Sequence, residues 1–498
     1  MAAELTGRDR LAYAAGAINA LRESLAQKGD LSPEDRRAAG KAIRATVPRS
    51  TYATWQPAPD RPDPLALLAE QERDRVQELL PIRHERMAAS PFAFFRGSAV
   101  VMAADLAPLP RTGITVQCCG DAHVGNFGFF ASPERRLVFD INDFDETLPG
   151  PWEWDVARLA ASLEVLGRDR GFSDKERDAV LASCLATYHS TMRSFSLAGN
   201  LDVWYSRIDV RDFLEEHGDR LDDAERAILE NAVRRATQKD SSRAVRKLTK
   251  ETDQGLRFRS QPPLVTPVSE LAERDLARIA RRTVDSETVI GAVMASYRRS
   301  LPAERQALVR QYLGVDMARK VVGVGSVGMS AWVVLLEGNG KGDELVLQLK
   351  EATNSVLERY LGASAYANHG QRVIEGQRAM QTSRDLWLGW TRFVGSDRVV
   401  HDYYVRQLWD AKGAFPLETV NPEELAFVAD MCAWTLAHAH ARTGDRHAIA
   451  GYLGKGAAFD HAMAAFARAY ADQNERDYGR FVAARAAEMG EAPAQPLE

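Results

Sequence analysis

Cysteine is scarce in this chain: only Cys118, Cys119, Cys184 and Cys432 occur among 498 residues. No CxxC pair exists, and the adjacent Cys118 and Cys119 are poorly placed to bridge each other. Neither a disulfide framework nor a zinc site is expected, and the thiols are predicted to be reduced. Long apolar runs are missing too. None approaches the ~18 residues of a membrane span, and the opening MAAELTGRDR lacks the apolar core of a secretory signal. A cytoplasmic protein without a membrane partner is therefore expected. Excess charge of one sign is also absent. Lys plus Arg number 64 against 69 Asp plus Glu, a formal net charge of −5, so the basic footprint of a nucleic-acid binder is not there. What remains is an ordinary globular composition, 45% hydrophobic and 27% charged. At roughly 100–200 residues per domain, the length suits two to four structural units.

Periodicity divides the chain. Leu11, Ala14, Ile18, Leu21 and Leu25 recur at helical steps, and Ser32-Pro33-Glu34 reads as a cap with Pro at the first helical position. Pro57, Pro59, Pro62 and Pro64 mark an extended link, followed by a helix over 65–89 broken at Pro81. Residues 1–89 thus form an N-terminal helical extension. Two strands are predicted over 114–118 and 137–141, with the polar turn GDAHVGNFG after the first; helical patterns then dominate 154–312. Near Val321 the pattern turns to strands in VVGVGSVGMSAWVVLLEG, ELVLQLKEA, LGWTRFVG and HDYYVRQLWD, interrupted by one helix over 364–382, which implies a small antiparallel sheet. From Pro422 the chain is helical again. The regions are therefore 90–315, a helical part carrying the polar turn; 316–412, a Gly-rich sheet; and 413–498, helices that complete the helical part. The fold class is α+β.

Two constellations carry chemistry. Asp121 is followed five residues later by Asn126, and Asp143 lies in NDFDE at the end of the next strand. Phosphoryl transfer needs a carboxylate to orient or deprotonate a hydroxyl, plus an amide oxygen and a second carboxylate to hold Mg²⁺ on nucleotide phosphates. A hairpin-like pairing of the two predicted strands would bring the three together. The second constellation is Gly323-Val324-Gly325-Ser326-Val327-Gly328 between two strands. A dinucleotide fingerprint requires a following helix, whereas a glycine loop between antiparallel strands suits a flap over phosphates. Lys350 ends the alternating strand VLQLK and is placed to meet those phosphates, with Glu375 on the next helix as its expected ion-pair partner and Glu358 as the nearer alternative. His123 either assists catalysis or fixes its loop, and Arg96 in FFRGS either contacts substrate or phosphate or pairs between helices. His438 and His440, two apart on a helix, point in different directions.

GDAHVGNFG followed by FDINDFDE resembles the catalytic loop and metal motif of aminoglycoside-phosphotransferase-like and protein kinases. The resemblance implies a two-lobed kinase-like fold in which Asp121 is the base, Asn126 and Asp143 hold Mg²⁺, and Gly323, Gly325, Ser326, Gly328 and Lys350 hold ATP. It further implies that Asp155, in WDVARL, supports the loop and that backbone at Gln407 and Leu408 meets the adenine. Cys119 stands where that loop usually begins with His, and Asp145 where Gly often follows in protein kinases, which favours a small-molecule acceptor. The order is reversed relative to kinases, with the catalytic loop before the glycine loop, so a circular permutation is implied; TLAHAHARTGD, near the C-terminus, is similar to the helix that leads into the loop. The wider pattern from FFRGSA to HARTGD resembles a bacterial family named domain of unknown function 2252. The expected activity is ATP- and Mg²⁺-dependent phosphoryl transfer to a small molecule, with AMP transfer in the same pocket or a nucleotide-binding pseudokinase-like module as alternatives.

Overall fold

The computed structural model describes residues 31–238, 241–271, 286–321, 327–394, 398–488 and 490. The expected helical stripe at 11–25 and the glycine-loop residues Gly323, Gly325 and Ser326 lie outside them.

The first described helix, Pro33–Ala42, starts as its sequence predicts, with Ser32 and Asp35 forming a reciprocal capping box. Past the proline link, helix Pro64–Glu72 is followed by helix Leu80–Ala88, and Pro81 opens the second helix at a position whose N–H needs no partner. Helix α1 (Pro91–Gly97) carries Phe94, Phe95 and Arg96. Strand β1 (Thr115–Cys118) runs into the polar turn, from which β2 (Phe127–Ala131) and β3 (Leu137–Ile141) emerge; β4 (Leu148–Pro151) leads directly into α2 (Trp152–Asp169). The expected pairing of 114–118 with 137–141 is not what forms. β1 pairs with β4, and β3 pairs with β2 in the register Phe127↔Ile141. The reason is local: FGFFA, directly after Asn126, is itself a strand and takes the nearest partner.

The region 154–312 is helical as expected in α2 and in α3 (Asp174–Phe195), but it also contributes strands. β5 (Ile208–Asp209) extends the β2–β3 pair, β6 (Thr249–Thr252) and β7 (Gly255–Phe258) form a hairpin, and β8 (Val265–Pro267) joins the large sheet. These runs are two to four residues long, too short to impose a period on the sequence.

The large sheet continues with β9 (Leu313–Lys320), β10 (Ala331–Glu337) and β11 (Glu344–Ala352). After helix α4 (His369–Met380) come β12 (Gly389–Val394) and β13 (Val400–Gln407), in the spatial order β12-β13-β11-β10-β9-β8, antiparallel throughout. Alternation along β11 sends Leu345, Leu347 and Leu349 into one core with Trp332, Tyr403 and Val405. Val346 goes to the opposite face, beneath Ala244, Val245 and Leu248 of the helix Ser241–Leu248. Lys350 shares that second face.

The helical part is completed by α5 (Pro422–Thr443), capped by Asn421 and Glu424, and α6 (Ala458–Glu488). They pack with α2, α3 and β1–β4 around one continuous core that includes Phe95, Trp152, Tyr188 and Phe466. All four cysteines are buried and free. Among the described residues no helix is long and apolar enough to cross a membrane.

Candidate active site

The polar turn is held from below. Asp155, in the first turn of α2, accepts hydrogen bonds from the backbone N–H of Cys119 at 2.8 Å and of Gly120 at 3.0 Å. His440 of α5 approaches the same carboxylate at 3.3 Å while its other ring nitrogen meets the Tyr188 hydroxyl at 2.9 Å. His438, by contrast, turns to the carbonyl of Val203, so the two histidines share no ligand direction. Gly120 has φ +82°, and a Cβ there would lie 2.2 Å from the Glu146 carbonyl oxygen. Gly120→Ala is therefore expected to cost about 1–3 kcal/mol in backbone strain alone, measurable by urea unfolding.

Above this support the loop folds on itself. Asn126 Nδ2 donates to the Asp121 carbonyl at 2.9 Å, and Asn142 N–H donates to the Asn126 carbonyl at 2.7 Å, which sets Asp143 beside Asn126. Asp121 accepts from Arg158 Nε at 2.8 Å and is 18% exposed. Burial pushes its carboxyl above the ordinary range, with Arg158 opposing. Arg158 lies one helical turn after Asp155, so an i, i+3 spacing on α2 aims both at the loop, a signal present in WDVARL that the expected site did not include. His123 accepts from the Gly125 N–H at its Nδ1 (3.1 Å), and its Nε2 lies 3.8 Å from Asp121. Burial, and then Arg96 and Arg158, hold the imidazole well below its usual range. It is neutral and tied to its own loop.

Lys350 comes down from the sheet onto this group. It pairs with Asp145 and lies 3.9 Å from Asp143, itself 34% exposed. Burial works against the ammonium, but Asp143 and Asp145 raise it above the ordinary lysine range. Burial likewise opposes ionisation of Asp145, yet the Lys350 charge and the Tyr404 hydroxyl at 2.8 Å hold it below its usual value. The expected Lys350–Glu375 pair is not formed: Glu375 pairs with Arg378 at 2.9 Å. Glu358 instead lies 3.6 Å from Arg372. Arg372 is the residue of α4 that reaches the NDFDE segment, donating to the carbonyls of Asp145 and Thr147 at 2.7 Å each. An arginine donating to carbonyls leaves no ion-pair pattern to read in advance.

The outer end of β13 also differs from expectation. Gln407 N–H donates to Asp385 at 2.7 Å and Leu408 N–H to the Val346 carbonyl at 2.9 Å, so neither donor is open to a base. Leu408 is packed with Val346 under the helix Ser241–Leu248. Gly328, the described end of the glycine loop, has φ +89° and is fastened by a hydrogen bond from Val76 N–H to its carbonyl at 2.6 Å.

Asp143 and Asn126 offer a carboxylate and an amide oxygen, a hard donor pair suited to Mg²⁺ when nucleotide phosphates and water supply the rest. Among the described residues no cluster of three His, Cys, Asp or Glu stands ready to hold a metal unaided.

Fold and site together define an α+β protein whose helical part presents a carboxylate-rich loop to a lysine from an antiparallel sheet. The model of a family described as uncharacterized proteins conserved in bacteria (DUF2252) matches residues 75–484, and the chain belongs to that family. No curated protein and no solved structure matches the chain.

Proposed function

We propose that this protein is an ATP- and Mg²⁺-dependent phosphotransferase acting on a small-molecule hydroxyl. The observation that carries the reading is the convergence of Asp121, Asn126, Asp143 and Lys350, from two separated parts of the chain, within a few hydrogen bonds of one another. The sheet order β12-β13-β11-β10-β9-β8, with Lys350 on the interior strand β11, and Asp155 beneath the loop support the kinase resemblance and its permuted order.

In this reading Asn126 and Asp143 would hold Mg²⁺, which would supply charge neutralisation at the transferred phosphoryl group. Lys350 moves from Asp145 to the nucleotide phosphates. Nucleotide recognition rests on the phosphates, since the N–H groups of Gln407 and Leu408 are occupied. Asp121, held by Arg158, orients the acceptor hydroxyl and takes its proton as the oxygen bonds to the γ-phosphorus. The bond to the β–γ bridging oxygen breaks, and ADP leaves with that electron pair. His123 keeps the loop in shape.

Product analysis tests this. Incubation with Mg²⁺·ATP and a mixed pool of hydroxyl compounds is expected to release ADP. Release of AMP and pyrophosphate would reveal hydrolytic nucleotide cleavage, and pyrophosphate with AMP bound to an acceptor would reveal adenylyl transfer. Stable binding of ATP without any product would leave a pseudokinase-like module. Asp143→Asn is expected to lower ADP release by about two orders of magnitude and to raise the Mg²⁺ needed for half-maximal rate.

A further inference from the structure

One cation in the site has no acceptor. Arg96 extends from the last turn of α1 to the loop, where a Cβ built on Gly125 would lie 3.5 Å from its Nε. That Nε is sealed from solvent and has no hydrogen-bond partner. Among the described residues the guanidinium makes no hydrogen bond or ion pair, and its central carbon stands over the Phe92 ring, 5.9 Å from the ring centre. Its terminal nitrogens are not sealed in this way and donate to no protein acceptor among the described residues, so the outer edge of the guanidinium is left for a ligand.

The neighbouring charges say what it awaits. Arg96 feels Asp121, Glu418 and Asp143, whereas Lys350 feels Asp143 and Asp145. Lys350 lies 3.9 Å from Asp143 at the phosphate end of the site, whereas Arg96 lies against Gly125 next to His123, whose Nε2 is 3.8 Å from Asp121. Asp121 already has its own guanidinium in Arg158 at 2.8 Å, so Arg96 is not needed to balance it. A planar fork of N–H donors, next to the base and unfilled by protein, matches an oxyanion.

We propose that Arg96 selects the acceptor, which is an anionic hydroxyl compound. Its carboxylate or phosphate group sits on the Arg96 fork while its hydroxyl lies against Asp121. The inference rests on the phosphotransferase reading and narrows it: the hydroxyl oxygen bonds to the γ-phosphorus of ATP, the proton goes to Asp121, and ADP leaves. Cationic acceptors of the aminoglycoside type are disfavoured by Arg96 itself.

The test compares wild type, Arg96→Gln and Arg96→Lys with Mg²⁺·ATP and four probes: D-glycerate, glycerol 3-phosphate, glycerol and ethanolamine. ADP release is expected with glycerate or glycerol 3-phosphate, the two arms separating carboxylate from phosphate. Arg96→Gln should raise KM for that probe about tenfold or more while leaving KM for ATP unchanged, and Arg96→Lys should restore only part, because it keeps charge without the fork. Turnover of glycerol or ethanolamine at equal rates overturns the proposal, as does a raised KM for ATP with the anion unaffected, which would give Arg96 to the nucleotide. If no probe is turned over, thermal stability in a non-hydrolysable ATP analogue decides. Protection of wild type by either anion beyond KCl of equal ionic strength, absent in Arg96→Gln, supports the proposal, and no protection overturns it. Failure of wild type to bind Mg²⁺·ATP at all is read separately and strikes the underlying reading.

Discussion

Asp121→Asn is expected to abolish turnover almost entirely while Mg²⁺·ATP binds nearly as in wild type. The amide keeps the shape and accepts from Arg158 as the carboxylate does at 2.8 Å, but it cannot take a proton from the acceptor. Loss of a positioned base is worth about 10²–10⁴-fold, and the carboxylate separates that effect from binding because Asn126 contacts the Asp121 backbone, not its side chain. The pH profile carries a second signature. Burial raises the Asp121 carboxyl, so the acid limb of kcat/KM should fall at a higher pH than an ordinary aspartate would give. Single-turnover measurement of ADP formation, alongside calorimetric binding, checks both; full activity in the variant would remove Asp121 from the chemistry.

Asp155→Ala should have the largest effect on stability. Its carboxylate is buried and receives the N–H groups of Cys119 and Gly120, and His440 closes the third side. Removing it orphans two backbone donors at about 1–3 kcal/mol each, so a loss of about 2–6 kcal/mol is expected in urea unfolding. Activity should fall as well, because the same bonds aim Asp121. Asp155→Asn, which keeps one acceptor oxygen, should recover part of the stability. A variant as stable as wild type would show that the loop holds its shape without this anchor.

These expectations depend on features that were legible to different degrees. ELVLQLKEA announced β11 residue for residue, because its alternation sets Leu345, Leu347 and Leu349 on one face and Val346, Gln348 and Lys350 on the other. The cap Asn421-Pro422 with Glu424 likewise announced α5. Pairing was harder. Period-2 alternation marks 115–118 and 137–141 as strands but does not say which strand lies beside which: β3 took the nearer β2, and β1 was left to pair with the more distant β4. Ion pairs were harder still. Glu375 has the expected place on a helix after the lysine strand, yet the helix turns it toward Arg378 and offers Arg372 to the carbonyls of Asp145 and Thr147. Asp145 stands out in the sequence as a departure from a motif, but nothing there marks it as the residue that receives Lys350. Arg96 stood out as a cation, but its lack of an acceptor is a property of packing that sequence spacing does not encode.

The central claim is that Lys350, Asp143 and Asn126 make one Mg²⁺·ATP phosphate site. The most direct measurement is calorimetric titration of the full chain with ATP, with and without Mg²⁺, repeated on Lys350→Ala. Lys350→Met serves as a second variant that fills the space beside Asp145 and Tyr404, and circular dichroism checks that both are folded. The account predicts Mg²⁺-dependent binding to wild type that weakens about tenfold or more, roughly 1.4 kcal/mol, in both variants. Equal binding in folded variants, or no binding to wild type, would contradict it.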